Sequence, residues 1–286
     1  MSAPVRWSEF FHPPHPLRPG RTLRVGTYLV DGTPRPAVFL DDEVHVYDLP
    51  VLEFIEVVHS DGLGDLDYSV YPLSELRIGP PVPRPPKIIC FGLNYREHVE
   101  ELREMGMDVP SEPVMTMKAP TAVIGHLDTV KLPREARRVD HELELAVVIG
   151  ERCRKVSPEE ARDAVLGFTI INDVTARDIE KREGQWVRAK SYDTFAPLGP
   201  WIETELEPDG LEMELRVNGE VRQRATTDDM VRDPYELVSF TSRVMTLEPG
   251  DIIATGTPPG VGPMEPDDKI ELEIERIGRL VHYVGQ

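Results

Sequence analysis

The chain has 286 residues, with 32 basic and 51 acidic side chains and a net charge of −19. Such a surface repels nucleic-acid phosphates and anionic membranes, so neither is expected as a partner, and an anionic substrate needs local positive charge from a metal or from fixed Lys and Arg. The length fits one large domain, or one domain with a smaller companion; no apolar run approaches the roughly 18 residues of a membrane span.

Two cysteines, Cys90 and Cys153, show no CxxC spacing and no companion histidine cluster. They point to a reduced protein and away from a zinc site. The first residues, MSAPVRWSEFFHPPHP, carry no apolar signal core, so a cytoplasmic location is expected.

Along the chain, residues 1 to about 20 are rich in Pro and His without periodicity and read as an extended arm. Leu23 to Val30, the turn Asp31-Gly32 and Arg35 to Leu40 read as strand, turn, strand. Val44 to Leu49 reads as a third strand and Val51 to Ser60 as a short helix. The run Pro80-Pro81-Val82-Pro83-Arg84-Pro85-Pro86 makes a stiff extended segment that stops any helix. A domain boundary is expected there, giving a small α+β module over 1–84 and a second domain over 85–286; a loop inside one domain is the alternative.

Beyond the boundary, strands are predicted at Lys87 to Phe91, Leu143 to Ile149, Gly167 to Asn172, Met213 to Val217, Asp251 to Thr255 and Lys269 to Ile274. Helices are predicted at Asn94 to Met105, Pro158 to Val165 (Ser157 as N-cap, Glu160 as capping-box acid), Ala176 to Arg182 and Pro234 to Thr246. Strands dominate and the helices are short. The pattern fits an α+β, mostly β chain with a mixed β-roll better than a doubly wound parallel sheet.

The chemistry-bearing residues cluster in a few stretches. In Asp140-His141-Glu142-Leu143-Glu144-Leu145, alternate side chains of an extended chain share a face, so Glu142 and Glu144 point the same way. Two carboxylates at the mouth of a buried strand repel, and a hard divalent cation (Mg²⁺, Mn²⁺ or Ca²⁺) relieves that repulsion. A solvated strand end is the alternative. Asp173 ends a second buried strand and offers a third carboxylate, or else an N-cap. Arg177, four residues on, can clamp a substrate carboxylate or pair with Asp178 or Glu180. Lys118 and Lys190 lie in apolar-flanked runs and offer the local positive charge, unless they are ordinary exposed lysines. The Gly- and Pro-dense turn Thr255 to Gly262 presents backbone N–H groups to an anion, or is a plain turn. His98 and Glu101, three apart on a helix, form a candidate general-base pair for water, or a casual surface pair.

Together, six stretches in order resemble the fumarylacetoacetate hydrolase superfamily. They are Phe91-Gly92-Leu93-Asn94-Tyr95-Arg96-Glu97-His98 with Glu101, Met117-Lys118-Ala119-Pro120, His141 to Leu145, Asn172 to Asp178, Lys190 to Pro200, and Gly256 to Val261. The resemblance runs from about Pro86 to the C-terminus. It implies a β-roll catalytic domain, usually in a homodimer, with Mg²⁺ or Mn²⁺ on Glu142, Glu144 and Asp173. It places Lys190 as the site lysine and His98 with Glu101 as a lid dyad that activates water. Arg177, Thr257, Lys118 and Tyr192 fall in substrate-facing positions. The reaction it implies is cleavage of a carbon–carbon bond in a small 2,4-dioxo acid, of acylpyruvate or fumarylpyruvate type, through an enolate. Decarboxylation of an oxaloacetate-like acid, or isomerisation of a 2-hydroxy-dienoate, uses the same electron sink. A metal-binding pathway protein that has lost turnover is the non-enzymatic alternative. The Ser191-Tyr192 pair after Lys190 departs from the family's common Gly-Phe.

Overall fold

The computed structural model describes residues 23–40, 43–60, 63, 66–72, 77–97, 99–100 and 110–286. The expected N-terminal arm, His98 and Glu101 lie outside them. The first part contains β1 (Arg24–Val30), β2 (Thr33–Phe39), β3 (Glu43–Tyr47), α1 (Val51–Ser60), β4 (Tyr68–Pro72) and β5 (Ile78–Gly79). After the proline stretch come β6 (Ile88–Gly92), β7 (Val114–Lys118), β8 (Val123–Ile124), β9 (Thr129–Lys131), β10 (Val139–His141) and β11 (Leu143–Ile149). Next are α2 (Pro158–Ala164), β12 (Val165–Asn172), β13 (Thr175–Ala176), α3 (Arg177–Glu183), α4 (Val187–Lys190) and β14 (Ala196–Glu203). The chain continues with β15 (Glu212–Val217), β16 (Glu220–Thr226), α5 (Pro234–Val244), β17 (Ile252–Ala254), β18 (Gly262–Pro263), β19 (Lys269–Ile274) and β20 (Gly278–Gly285).

Twelve strands form one mixed sheet in the order β4-β3-β2-β1-β14-β12-β11-β17-β6-β7, with β5 on β1 and β8 on β14. A second sheet runs β16-β15-β19-β20-β9, and β13-β10-β18 make a small third one. Most pairs are antiparallel, while β17 with β6, β8 with β14 and β9 with β20 are parallel. The mixed, strand-rich architecture is the expected one.

Burial follows sequence pattern. Every residue of β11 is buried, as its near-continuous apolar run requires. Strand β19 alternates, with Ile270, Leu272 and Ile274 in the core and charged residues between them. Helix α2 starts where its capping box places it: Ser157 Oγ accepts from Glu160 N at 3.2 Å, and Glu160 Oε2 accepts from Ser157 N at 2.8 Å.

The sheet does not stop at the proline stretch, which runs between β5 and β6. Strand β1 pairs with β14, Arg24 opposite Glu203 and Val25 opposite Ile202, so the N-terminal strands extend the central sheet. At the middle of that sheet, the start of β11, the end of β12 and the turn after β17 come to the same edge, with Leu143 opposite Asn172 and Ala146 opposite Ala254. That edge carries the candidate site.

Candidate metal centre and substrate site

Glu142 lies between β10 and β11, where the chain passes from the small sheet into the central one. Side-chain amides take the backbone N–H groups at this crossing. Asn172 Oδ1 accepts from Glu142 N at 2.8 Å, and Gln223 Oε1 accepts from Leu143 N at 3.0 Å. With the backbone so held, Glu142 and Glu144 project to one side, as alternation predicts, and Asp173 arrives from the end of β12. One carboxylate oxygen from each lies within 4.8 Å of the others, and all three residues are buried.

Cations surround two of the three. Lys190 Nζ donates to Asp173 Oδ2 at 2.6 Å, to Glu142 Oε2 at 3.0 Å and to Thr175 Oγ1 at 2.8 Å. Lys118 Nζ donates to Asp173 Oδ1 at 2.6 Å and to Val174 O at 2.9 Å. Burial alone pushes the Asp173 carboxyl up, but Lys118 and Lys190 overcome it and hold the group down at about 2. For Lys190, burial opposes charge while Asp173 and Glu142 favour it, and the ammonium ends well above its ordinary value.

Arg177 is bonded to protein carboxylates: Asp140 Oδ2 at 3.0 Å, Glu142 and Glu180. It therefore braces Glu142 here. Arg138 Nε holds the other oxygen of Asp140 at 2.7 Å, which fixes the brace from behind.

Glu144 differs. Its Oε2 accepts from Gly256 N at 2.7 Å, and among the described residues no Lys or Arg forms an ion pair with it. Burial first, then the neighbouring Asp173 charge, raises its carboxyl well above the usual range. Gly256 has φ +100°, and a Cβ there would come 2.8 Å from Asn94 Cβ, so glycine is required for the amide to reach Glu144.

The other predicted residues take different places. Thr257 stands in the turn after Gly256, half-buried, its Oγ1 accepting from Gln223 Nε2 at 2.8 Å. Tyr192 packs on Phe195 with ring centroids 5.2 Å apart; its charged neighbours are Glu135 and Arg188, and no hydrogen bond joins it to the three carboxylates. Asn94 ties the chain to the site: its Nδ2 donates to Thr255 O at 2.7 Å and its Oδ1 accepts from Arg232 N at 2.9 Å.

Sequence reasoning missed Asn172, Gln223 and His282. Asn172 Nδ2 donates to His282 Nε2 at 2.8 Å, which points Oδ1 at Glu142 N. Burial lowers His282 to about 4, so it stays neutral and able to accept that bond. Cys90, on β6, is fully buried, and burial first, then the Asp173 charge, raises its thiol.

Residues 87–285 match the family described as Fumarylacetoacetate (FAA) hydrolase C-terminal, and the chain belongs to that family. It is 44% identical over 238 residues to oxaloacetate tautomerase YisK of Bacillus subtilis, covering 79% of this chain and 78% of that protein. Among solved structures it resembles 5-carboxymethyl-2-hydroxymuconate delta-isomerase from Mycobacterium smegmatis, with a TM-score of 0.80 and 39% identity over 92% of this chain and 99% of that one. Maleylpyruvate hydrolase from Sphingobium is similar too, with a TM-score of 0.76 and 33% identity over 92% and 99% of the two chains.

Proposed function

We propose that the chain is a metal-dependent enzyme acting on a small 2-oxo acid, and that keto–enol isomerisation of an oxaloacetate-like acid is its reaction. The observation that carries this reading is the group Glu142, Glu144 and Asp173, three buried carboxylate oxygens within 4.8 Å of one another. The residues fit a divalent cation. Asp173 and Glu142 are met by Lys118, Lys190 and Arg177, whereas Glu144 has no cationic partner among the described residues. All the donors are hard oxygens, which suits Mg²⁺ or Mn²⁺ and admits Ca²⁺ rather than a soft metal. When bound, the cation supplies Lewis-acid polarisation of the substrate's 2-oxo group.

The chain's own residues do the rest. Lys190 stays protonated beside Glu142 and Asp173, so it adds positive charge where the 2-oxo oxygen gains negative charge, and it does not serve as a base. Lys118 and Arg177 hold Asp173 and Glu142 in place. Thr257 Oγ1 accepts from Gln223, which leaves its own hydroxyl proton to donate to the acid end of the substrate. Isomerisation passes the C3 proton to a base and returns a proton to the 2-oxo oxygen without consuming water; with Lys190 protonated, the base is assigned to His98 of the His98–Glu101 pair. Relatives named as a tautomerase and an isomerase support this choice.

A second reading is hydrolysis of a carbon–carbon bond in a 2,4-dioxo acid. It is favoured by the likeness to a maleylpyruvate hydrolase and by the His98–Glu101 spacing in the sequence, since those two residues would deliver the water.

Proton NMR of oxaloacetate and pooled acylpyruvates, with enzyme stripped by EDTA and then resupplied with Mg²⁺, separates the two. The expected result is metal-dependent interconversion of the keto and enol forms of oxaloacetate with no new acid. Pyruvate with a free acid from an acylpyruvate would move the assignment to hydrolysis, and pyruvate from oxaloacetate alone to decarboxylation. No metal-dependent change in any substrate would remove the enzymatic reading.

A further inference from the structure

Gln223 lies on β16 between Arg222 and Arg224, both exposed, yet it is itself 1% exposed. Its amide is fully used. Nε2 donates to Thr257 Oγ1 and to Pro258 O, both at 2.8 Å. Oε1 accepts from Leu143 N at 3.0 Å and from His141 Nδ1 at 3.1 Å. The Pro258 carbonyl can only accept and the Leu143 amide can only donate, so the backbone fixes which way the amide points.

One side of the amide thus grips the chain between Glu142 and Glu144, and the other grips the turn that carries Thr257. That turn also touches the carboxylate centre directly, through Gly256 N and Glu144 Oε2 at 2.7 Å. On its far side it rests against β16: Gly260 has φ +97°, and a Cβ there would come 2.2 Å from Arg222 O. The turn has contact on two sides, and Gln223 spans the gap between them.

We propose that Gln223 is a positioning residue that sets the distance between the carboxylate centre and the Thr257 turn, and thereby the affinity for the oxo-acid end of the substrate. Its Oε1 also holds the Leu143 amide between two of the carboxylates, so a variant that keeps that acceptor separates the two effects. The inference rests on the reading of Thr257 as a substrate contact. A buried, fully satisfied amide bridging two halves of a site is costly to replace, because any substitute leaves at least one partner unpaired.

The test is calorimetric titration of Mn²⁺, and then of oxalate into the Mn²⁺-loaded enzyme, for wild type and Gln223→Glu. The ionised carboxylate of that variant keeps acceptors for Leu143 N and His141 but has no hydrogen for Thr257 or Pro258. The expected result is Mn²⁺ affinity close to wild type with oxalate affinity reduced about tenfold or more, as displacement of a positioned group implies. If that variant does not fold, Gln223→Asn, one methylene too short to span both sides, is used instead, and oxalate affinity should then fall by a larger factor than Mn²⁺ affinity. Oxalate bound equally by wild type and variant overturns the positioning role. A parallel loss of Mn²⁺ and oxalate affinity overturns it as well, because Gln223 would then serve the metal strand alone. Wild type that binds Mn²⁺ but not oxalate overturns the Thr257 reading, and with it this use of Gln223.

Discussion

Asp173 and Glu203 are both carboxylates at the ends of central strands, and each is 1% exposed, yet their charges are managed in opposite ways. Asp173 has an ammonium on each oxygen and is held at about 2. Glu203, on the seam where β1 joins β14, has Arg24 Nε at 3.3 Å on one oxygen, while Oε1 has no hydrogen-bond partner among the described residues. Burial lifts Glu203 to about 7 despite Arg24. The number of donors, not depth, decides which buried carboxylate stays ionised. Glu144 follows Glu203: as deeply buried as Asp173 but, among the described residues, bonded only to a backbone amide, its carboxyl is raised well above the usual range, and it is the position a divalent cation would relieve.

The largest effect expected from breaking this contrast is at Lys190. Lys190→Met leaves Asp173 and Glu142 short of a cation in a buried site. Chemical unfolding in EDTA should show a loss of about 3–5 kcal/mol. Turnover with Mg²⁺ should fall by on the order of 10²–10³-fold, measured by the NMR assay. Unchanged stability would show that Lys118 and Arg177 suffice.

Glu144→Gln sharpens the contrast because its two consequences have opposite signs. Near neutral pH the raised Glu144 carboxyl must take up a proton on folding, so replacing it with a neutral amide should stabilise the EDTA-treated protein by about 1–2 kcal/mol. With saturating Mn²⁺, the same variant should melt below wild type. A lower melting temperature in both conditions would mean that Glu144 is already well satisfied without a cation.

The seam makes a pH prediction. Glu203 is raised from an ordinary 4.5 to about 7, so across that window the folded state holds a proton that the unfolded state has lost. Stability then falls as pH rises from 4.5 to 7, by about 2–3 kcal/mol, and Glu203→Gln should remove that slope. Urea unfolding at pH 5 and pH 8 measures the difference, and parallel profiles for wild type and variant would contradict the assignment.

The smallest effect is expected from Arg24→Met, whose guanidinium is partly exposed. It should cost about 1 kcal/mol at pH 8, where Glu203 is ionised, and nearly nothing at pH 5. Equal losses at both values would point to the packing of Arg24 over Trp201, whose ring centroid lies 5.3 Å from the guanidinium, rather than to charge.

The same comparison shows what is legible in the sequence. Strands β11 and β19 can be read to the residue, one from a near-continuous apolar run and the other from strict alternation. The three carboxylates are readable because alternation and strand ends place them by local geometry. Strand β14 is not, although it sits centrally between β1 and β12, because Pro197, Gly199 and Pro200 argue against a central strand. Its ladder with β12 is irregular between Phe168 and Ile170, which is how the prolines are tolerated. The Glu203 seam is lost with it. Gln223 is invisible for another reason, since an amide between two arginines looks like surface, and Asn172 because its partner His282 lies 110 residues away on β20.

The central claim is that Glu142, Glu144 and Asp173 form a divalent-cation site that Lys190, Lys118 and Arg177 leave unsatisfied at Glu144. Titration of Mn²⁺ into EDTA-stripped enzyme, followed by electron paramagnetic resonance, tests it most directly. The account predicts saturable binding of one Mn²⁺ per chain in wild type, and affinity at least about 100-fold weaker in Glu144→Gln. No saturable binding in wild type, or equal binding in the two proteins, would contradict it.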